Sequence, residues 1–242
     1  MKRILIFFLI LFSINAKSSH LMGGEITWEC LKNGPDVGKY IFTLKVYRDC
    51  FGINVSTLAQ TIEVWDHPTL TGITVDFVLQ QDVSPICDPI LSGNPILSCS
   101  AGDQGAVEEY IFVSQPVVIA GVPPATGWHF TWDNCCRNAA ITNLTNPSSA
   151  GFTLRASMFP YTDPATGLPV PADPCFDSSP VFKEQPKTIL CTGFPFSYSH
   201  NAFDDELDEL VYSWGEPLDD FIGVYNPPVL PLPLTFSAPY TV

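Results

Sequence analysis

Lys39–Arg48 reads KYIFTLKVYR, and its alternation decides the fold class. Tyr40, Phe42, Leu44 and Val46 share one parity, while Ile41, Thr43, Lys45 and Tyr47 share the other. Successive side chains on an extended strand point to opposite faces, so this period of two predicts a sheet strand with one strongly apolar face. Upstream, Gly24–Leu31 (GEITWECL) has the same character, and the turn-rich Lys32-Asn33-Gly34-Pro35-Asp36 separates the two. Together they predict a hairpin with a loose loop. Working outward, Thr61–Trp65, Ile73–Leu79, Val107–Ala120, Trp128–Trp132, Gly151–Met158 and Glu209–Trp214 are further candidate strands. Pro116 breaks the Val107–Ala120 run, because proline cannot donate to a ladder, so an edge strand or two short strands are expected there. Only Ala139–Leu144 could hold a helical turn. The 23 prolines and 16 glycines are too many for a helical protein and punctuate short extended segments. The expected fold is all-β: a disulfide-stapled β-sandwich followed by an incomplete immunoglobulin/cadherin-like sandwich.

The formal net charge of −14 repels phosphate backbones and anionic lipid, which excludes nucleic acid as a partner class. Apolar residues make up 46% and charged ones only 15%, a balance that favours a packed core over disorder. At the amino terminus Lys2 and Arg3 precede the apolar run Ile4–Phe12, and Ile14-Asn15-Ala16 ends on a small residue. That pattern predicts a secretory signal peptide over residues 1–16, and hence a secreted or outer-surface location. No later stretch approaches the roughly 20 apolar residues that span a bilayer, so no transmembrane segment is expected in the mature chain.

Export sets the redox compartment, and the eight cysteines are therefore read as disulfides: Cys30, Cys50, Cys87, Cys99, Cys135, Cys136, Cys175 and Cys191. Eight cysteines permit about 105 pairings. Cys135 and Cys136 are adjacent on the chain, and a bond between them needs a strained backbone, so each is expected to reach elsewhere. The expectation is local bridges Cys87–Cys99 and Cys175–Cys191, with Cys30 and Cys50 pairing with Cys135 and Cys136. Zinc is disfavoured because no CxxC pair exists, and His20, His67, His129 and His200 form no ligand spacing. Arg48-Asp49 and Arg137-Asn138 abut cysteines, and internal arginine–carboxylate contacts are expected of them.

Between Pro160 and Pro180 the composition turns proline-rich and poorly apolar, as a linker reads. A boundary near Asp173 gives a cysteine-containing β-rich domain over residues 17–172 and a second domain over 173–242. The second falls short of the roughly 100 residues of an immunoglobulin-type sandwich, so it is expected to be truncated.

The sharpest local pattern is Ala202-Phe203-Asp204-Asp205-Glu206-Leu207-Asp208-Glu209-Leu210-Val211-Tyr212. Clustered carboxylates repel unless solvated or bridged by a cation, and clustered oxygens suit a hard ion such as Ca²⁺. Asp204, Glu206 and Asp208 share one side of an extended or turning backbone, with Leu210 and Tyr212 in phase to enter a core. The segment resembles the A-x-D-x-D-G-D-x-L-x-Y stretch of cadherin-like and related bacterial immunoglobulin-like repeats. Ala202, Asp204, Asp208, Leu210 and Tyr212 match in register, and Glu206 replaces the second aspartate. Leu207 stands where the pattern has glycine, which speaks against a tight turn with positive φ. Asp177-Ser178-Ser179-Pro180-Val181-Phe182 resembles the opening of such a repeat. The resemblance thus implies a calcium site of Asp204, Glu206, Asp208 and Asp177.

SSHLMGGEITWECL, YIFTLKVYRDCFG, WDNCCRNAAITNL and SSPVF…CTGFPFSYSHNAFDDELDELVYSW together resemble the amino-terminal region of large secreted Bacteroidetes proteins, often labelled gliding-motility-associated. Those proteins are exported by the type IX system and carry immunoglobulin-like, PKD or cadherin-like repeats. The resemblance covers most of residues 19–220 and implies a cell-surface adhesion module whose partners are surface glycans or other cell-surface proteins. No G-x-S-x-G, H-E-x-x-H or P-loop pattern is present, and one short acidic run does not suit a separated acid/base pair, so no enzyme is expected. The alternative is a carbohydrate-binding module using Trp28, Trp65, Trp128, Trp132 and Trp214 as a platform, although large aromatics in strands are mostly core.

Overall fold

In a computed structural model the described residues are 21–84, 97–184, 197–199, 201–219, 225–226 and 231–240. The signal segment, His20, Cys87, Cys191 and His200 lie outside them. The alternating segment forms β2 (Tyr40–Asp49), paired antiparallel with β1 (Leu21–Cys30) so that Trp28 faces Phe42 and Cys30 faces Tyr40. Tyr40, Phe42, Leu44 and Val46 are all buried, the parity their alternation requires. β3 (Gln60–Trp65), β4 (Gly72–Asp82), β5 (Val107–Ser114), β6 (Trp128–Cys135) and β7 (Gly151–Met158) complete one antiparallel sheet in the order β1-β2-β5-β4-β3-β6-β7. The fold is all-β.

The sheet curls until its two edges meet. Leu21 N donates to Cys136 O (3.2 Å), and β1 contacts β7. Gly24 allows this approach, since a Cβ there would lie 2.6 Å from both the Leu154 side chain and the Lys45 carbonyl. Rings from opposite sides of the curl then meet inside: Phe42 lies 4.8 Å from Phe130, and Trp28 lies 5.6 Å from Phe130. Each such fully buried large side chain contributes about 1.5–3 kcal/mol of transfer free energy, so this aromatic interior is the main drive for closure.

Pro116 ends β5 as the sequence suggests, and Val117 makes only an isolated bridge to Tyr40. β5 is not an edge strand, however; it lies between β2 and β4, because proline sits beyond the paired stretch rather than within it. Glu209–Trp214 is not a strand. Tyr212 is 58% and Trp214 93% exposed, so the alternating apolar side chains expected to enter a core do not do so.

The disulfides also differ from expectation. Cys99 bonds Cys50, Cys175 bonds Cys30, and Cys135 bonds Cys136. Sequence proximity was a poor guide because the sheet order sets adjacency. Cys50 follows β2, whose neighbour β5 begins beside the Cys99 turn, where Cys50 N donates to Ala106 O and Cys99 N to Asp82 Oδ2. Cys135 and Cys136, each expected to reach elsewhere, instead bond one another, and the peptide bond joining them is cis. The Cys30–Cys175 bridge spans 145 residues; closing so long a loop stabilises by about 4–5 kcal/mol through the unfolded chain.

After β7 the chain forms two small pairs. β8 (Tyr161–Thr162) pairs with β9 (Pro169–Val170), and β10 (Val181–Phe182) pairs with β11 (Ala202–Phe203). The later described residues return to the large sheet. Arg137 Nη2 donates to Leu218 O (2.9 Å), Gly151 N donates to Asp219 Oδ1, and Tyr225 packs on Trp65 and His129.

Candidate functional site

The segment after Asp173 is laced to the end of β1. Cys175 is disulfide-bonded to Cys30, and its N–H donates to Gly38 O (2.9 Å). Ser178 Oγ accepts from Cys30 N (3.1 Å), and Ser179 Oγ accepts from Trp28 N (2.8 Å). Two short polar side chains here satisfy the outward backbone groups of an edge strand that would otherwise stay open. Asp177 is fixed by its neighbours. The β10–β11 pair, with Val181 opposite Phe203, then carries residues 204–208 back beside it.

Residues 204–208 form a tight turn organised by Asp204. Its carboxylate is 6% exposed, and Oδ1 accepts from Glu206 N (3.0 Å) and Asp208 N (3.1 Å). Leu207 N donates to Asp204 O, and Leu207 adopts φ +65°. The positive-φ turn that glycine would favour thus forms with leucine, because the two bonds to Oδ1 and the carbonyl bond fix the backbone.

Asp177, Asp204 and Glu206 converge, with one carboxylate oxygen of each within 4.8 Å of the others. Asp208 lies outside this triplet: its side chain is exposed, and it acts on Asp177 only through charge. Glu206 is held by Ser178 N and Ser178 Oγ (both 3.2 Å) and by Lys32 Nζ at 2.5 Å. Burial pushes the Glu206 carboxyl up, but the bonds from Lys32 and Ser178 outweigh it and leave its pKa below the ordinary value. Asp177 goes the other way. Burial first, and then repulsion from Glu206, Asp204 and Asp208, raise it to about 6, with Lys32 opposing. Lys32 therefore sets its positive charge against Glu206, Asp205 and Asp177.

The donor set fits a hard cation. Every candidate ligand atom is oxygen, and three carboxylates supply much of what Ca²⁺ asks for, with backbone or water completing it. The residues that hold the ion would be Asp177, Asp204 and Glu206, and a bound ion would add a charge link between two segments already joined by the β10–β11 pair and by Ser178.

Several other singled-out residues are engaged in the fold. Trp28, Trp128 and Trp132 are buried in the interior, and Trp65 packs on Tyr225. His67 bonds the backbone of Thr69, Leu70 and Ala120, whereas buried His129 bonds Ser157. Arg48 makes the expected internal contact, with Nε and Nη2 both on Glu108 Oε2 (2.9 and 2.7 Å). Asn138 donates to Asp49 Oδ2, and Arg137 donates to the Gly151 and Leu218 carbonyls. The Cys135–Asn138 stretch is thus a tie between the starts of β1 and β7 and the end of β2. Sequence reading missed Lys32 and Ser178; Lys32 sat in a turn that looked merely solvated, and Ser178 beside an aspartate that drew the attention.

Comparisons with protein-family models, with curated proteins and with solved structures found no match.

Proposed function

We propose that this chain is a non-enzymatic secreted or outer-surface module of an adhesin or gliding-motility-associated protein, stiffened by calcium at Asp177, Asp204 and Glu206. The observation that carries the reading is the convergence of these three carboxylates from two chain segments, with Asp177 raised to about 6 by burial and then by repulsion from Glu206, Asp204 and Asp208. A divalent ion relieves that repulsion and clamps the turn at residues 204–208 onto the segment tied to β1. Such a clamp fixes the direction in which the chain leaves the sheet, which is what an extended surface protein requires of its junctions. The resemblance of the CCRN-containing and acidic motifs supplies the surface setting, with surface glycans or other cell-surface proteins as partners. The carbohydrate-binding alternative is weakened by the burial of Trp28, Trp128 and Trp132.

The test is the melting temperature of the full chain in calcium and in chelator at constant ionic strength. A ligand at 100 times its dissociation constant stabilises the folded state by about 2.7 kcal/mol, a rise of about 5 °C or more for a chain of this size. Asp204→Asn, which keeps an Oδ1 acceptor for the turn, and Glu206→Gln are each expected to abolish the rise. Superimposable melts of the native chain in the two conditions would remove calcium from the proposal.

A further inference from the structure

The three disulfides among the described residues differ in what they hold. Cys30–Cys175 spans 145 residues and Cys50–Cys99 spans 49, whereas Cys135–Cys136 joins chain neighbours. A bridge restricts the unfolded chain more, the longer the loop it closes. The first two therefore stabilise the fold, and the third closes almost no loop. Hydrogen bonds rather than sulfur hold the stretch around it. Cys135 pairs with Gly151 across β6 and β7, and Leu21 N donates to Cys136 O. Arg137 N donates to Ala150 O (3.2 Å), its guanidinium donates to the Gly151 and Leu218 carbonyls, and Asn138 Nδ2 donates to Asp49 Oδ2 (2.8 Å). None of these bonds uses a sulfur atom, so opening the bridge breaks none of them directly.

Access separates the three bridges as well. Cys135 ends β6 and is exposed, the only exposed cysteine among the described residues. Cys30 is 4% exposed, and Cys50, Cys99, Cys136 and Cys175 are half-buried. Thiol–disulfide exchange proceeds by attack of a thiolate on one sulfur of the bridge, so its rate depends on which sulfur can be reached. At Cys135–Cys136 the reachable partner is Cys135, which makes Cys136 the leaving group.

We infer that Cys135–Cys136 is a thiol–disulfide exchange site on the folded surface, with a small external thiol as its co-reactant, while Cys30–Cys175 and Cys50–Cys99 are structural staples. The external thiolate attacks Cys135 Sγ and forms a mixed disulfide. The electron pair of the broken S–S bond leaves on Cys136 Sγ, which takes up a proton. A second external thiolate attacks the external sulfur of the mixed disulfide and releases Cys135, which is protonated in turn. Two external thiols thus give two electrons and two protons to the bridge and leave joined as one disulfide. The site lies where the two edges of the curled sheet meet. It shares no residue with the carboxylate cluster and does not rest on the calcium reading.

The experiment is native-state reduction of the full chain with graded reduced glutathione, followed by alkylation with N-ethylmaleimide and mass spectrometry of each cysteine peptide. Near-ultraviolet circular dichroism of the same samples follows the fold. Cys135 and Cys136 are expected to be alkylated about tenfold or more faster than Cys30, Cys50, Cys99 and Cys175, with the dichroism unchanged at that stage. Two single variants locate the attack. Treated with oxidised glutathione, Cys136→Ser is expected to form the mixed disulfide on its remaining thiol about fivefold or more faster than Cys135→Ser does. The double variant Cys135→Ser/Cys136→Ser is expected to melt close to the native chain, and Cys30→Ser/Cys175→Ser well below it. Alkylation of Cys50 or Cys99 before or together with the pair, opening of the pair only as the dichroism is lost, or resistance of the pair to reduction would each overturn the assignment. Equal rates in the two single variants would overturn Cys135 as the point of attack.

Discussion

Where β2 ends, Glu108 accepts from Arg48, Tyr110 and Gln80, while Asp49 accepts from Phe51 N, Gly105 N and Asn138. At the opposite end of the same strand, beyond Tyr40, the carboxylates of Asp177, Asp204 and Glu206 gather around backbone donors, Ser178 and the exposed Lys32. Both groups hold buried acids, yet their electrostatics diverge. Burial raises the Glu108 carboxyl, but bonds from Gln80, Tyr110 and Arg48 more than offset it and leave its pKa below the ordinary value; burial and like charges raise Asp177 to about 6. The difference teaches that the supply of positive charge and donors, rather than the number of acids, separates a structural network from a cluster with room for a cation.

The contrast is broken most severely at Arg48. Its side chain is 5% exposed, and removing it leaves the buried Glu108 carboxylate with its neutral donors but no cation. Arg48→Met is expected to cost about 3–5 kcal/mol in urea denaturation, the range for breaking a buried ion pair by deleting one partner. Lys32→Met removes the corresponding cation of the other cluster, but the Lys32 side chain is half exposed, so the loss there should be far smaller. Equal losses for the two variants would show that the clusters are not different in kind.

The same contrast governs what could be read from sequence. The strands of the large sheet were legible because burial on one face imposes a period of two on KYIFTLKVYR and its neighbours. Asp204 and Glu206 were legible because their acids crowd a short run, and Asp177 because of a family-like pattern. Lys32 and Ser178 were not, since each acts across a long sequence separation. The disulfides failed for the same reason: Cys50 and Cys99 lie together because β2 and β5 are neighbours in the sheet, and Cys30 and Cys175 because a segment read as linker is stitched to β1 through Ser178 and Ser179. Glu209–Trp214 shows the converse. Its alternation is real, but no described face receives it, and periodicity without a partner does not make a strand.

A sharper probe of the charge shortage is Asp177→Asn. Asp177 has an ordinary value of 3.8 and a folded-state value of about 6. The folded protein therefore binds more protons than the unfolded chain between those values, so this group's contribution to stability falls as pH rises from about 4 to 6 and is fully unfavourable above. Because the side chain is only half-buried, solvent screening reduces the effect to about 1 kcal/mol. In chelator, Asp177→Asn is expected to be more stable than the native chain by about that amount at pH 7 and equal to it near pH 4. Glu206, Asp204, Asp208 and Lys32 are common to both proteins, so the difference between the two pH profiles isolates Asp177. Parallel profiles would show that Asp177 carries no such strain.

The smallest effect belongs to Leu207, the exposed tip of the acidic turn. An L-residue at φ +65° costs about 1–2 kcal/mol relative to right-handed backbone, and Leu207, at 80% exposure, regains nothing by packing. Glycine removes that cost but loses about 0.5–1 kcal/mol through its larger unfolded-state freedom. Leu207→Gly is thus expected to stabilise the chain by a few tenths of a kcal/mol to about 1 kcal/mol, read as a shift in the urea midpoint with an unchanged slope. The sign matters more than the size. A stabilised variant means that the two bonds to Asp204 Oδ1 impose the turn on a residue that resists it, so that the acidic cluster is assembled before any cation arrives. A clearly destabilised variant would mean that Leu207 itself directs the turn, and the preassembly of Asp204 and Glu206 would lose its physical basis.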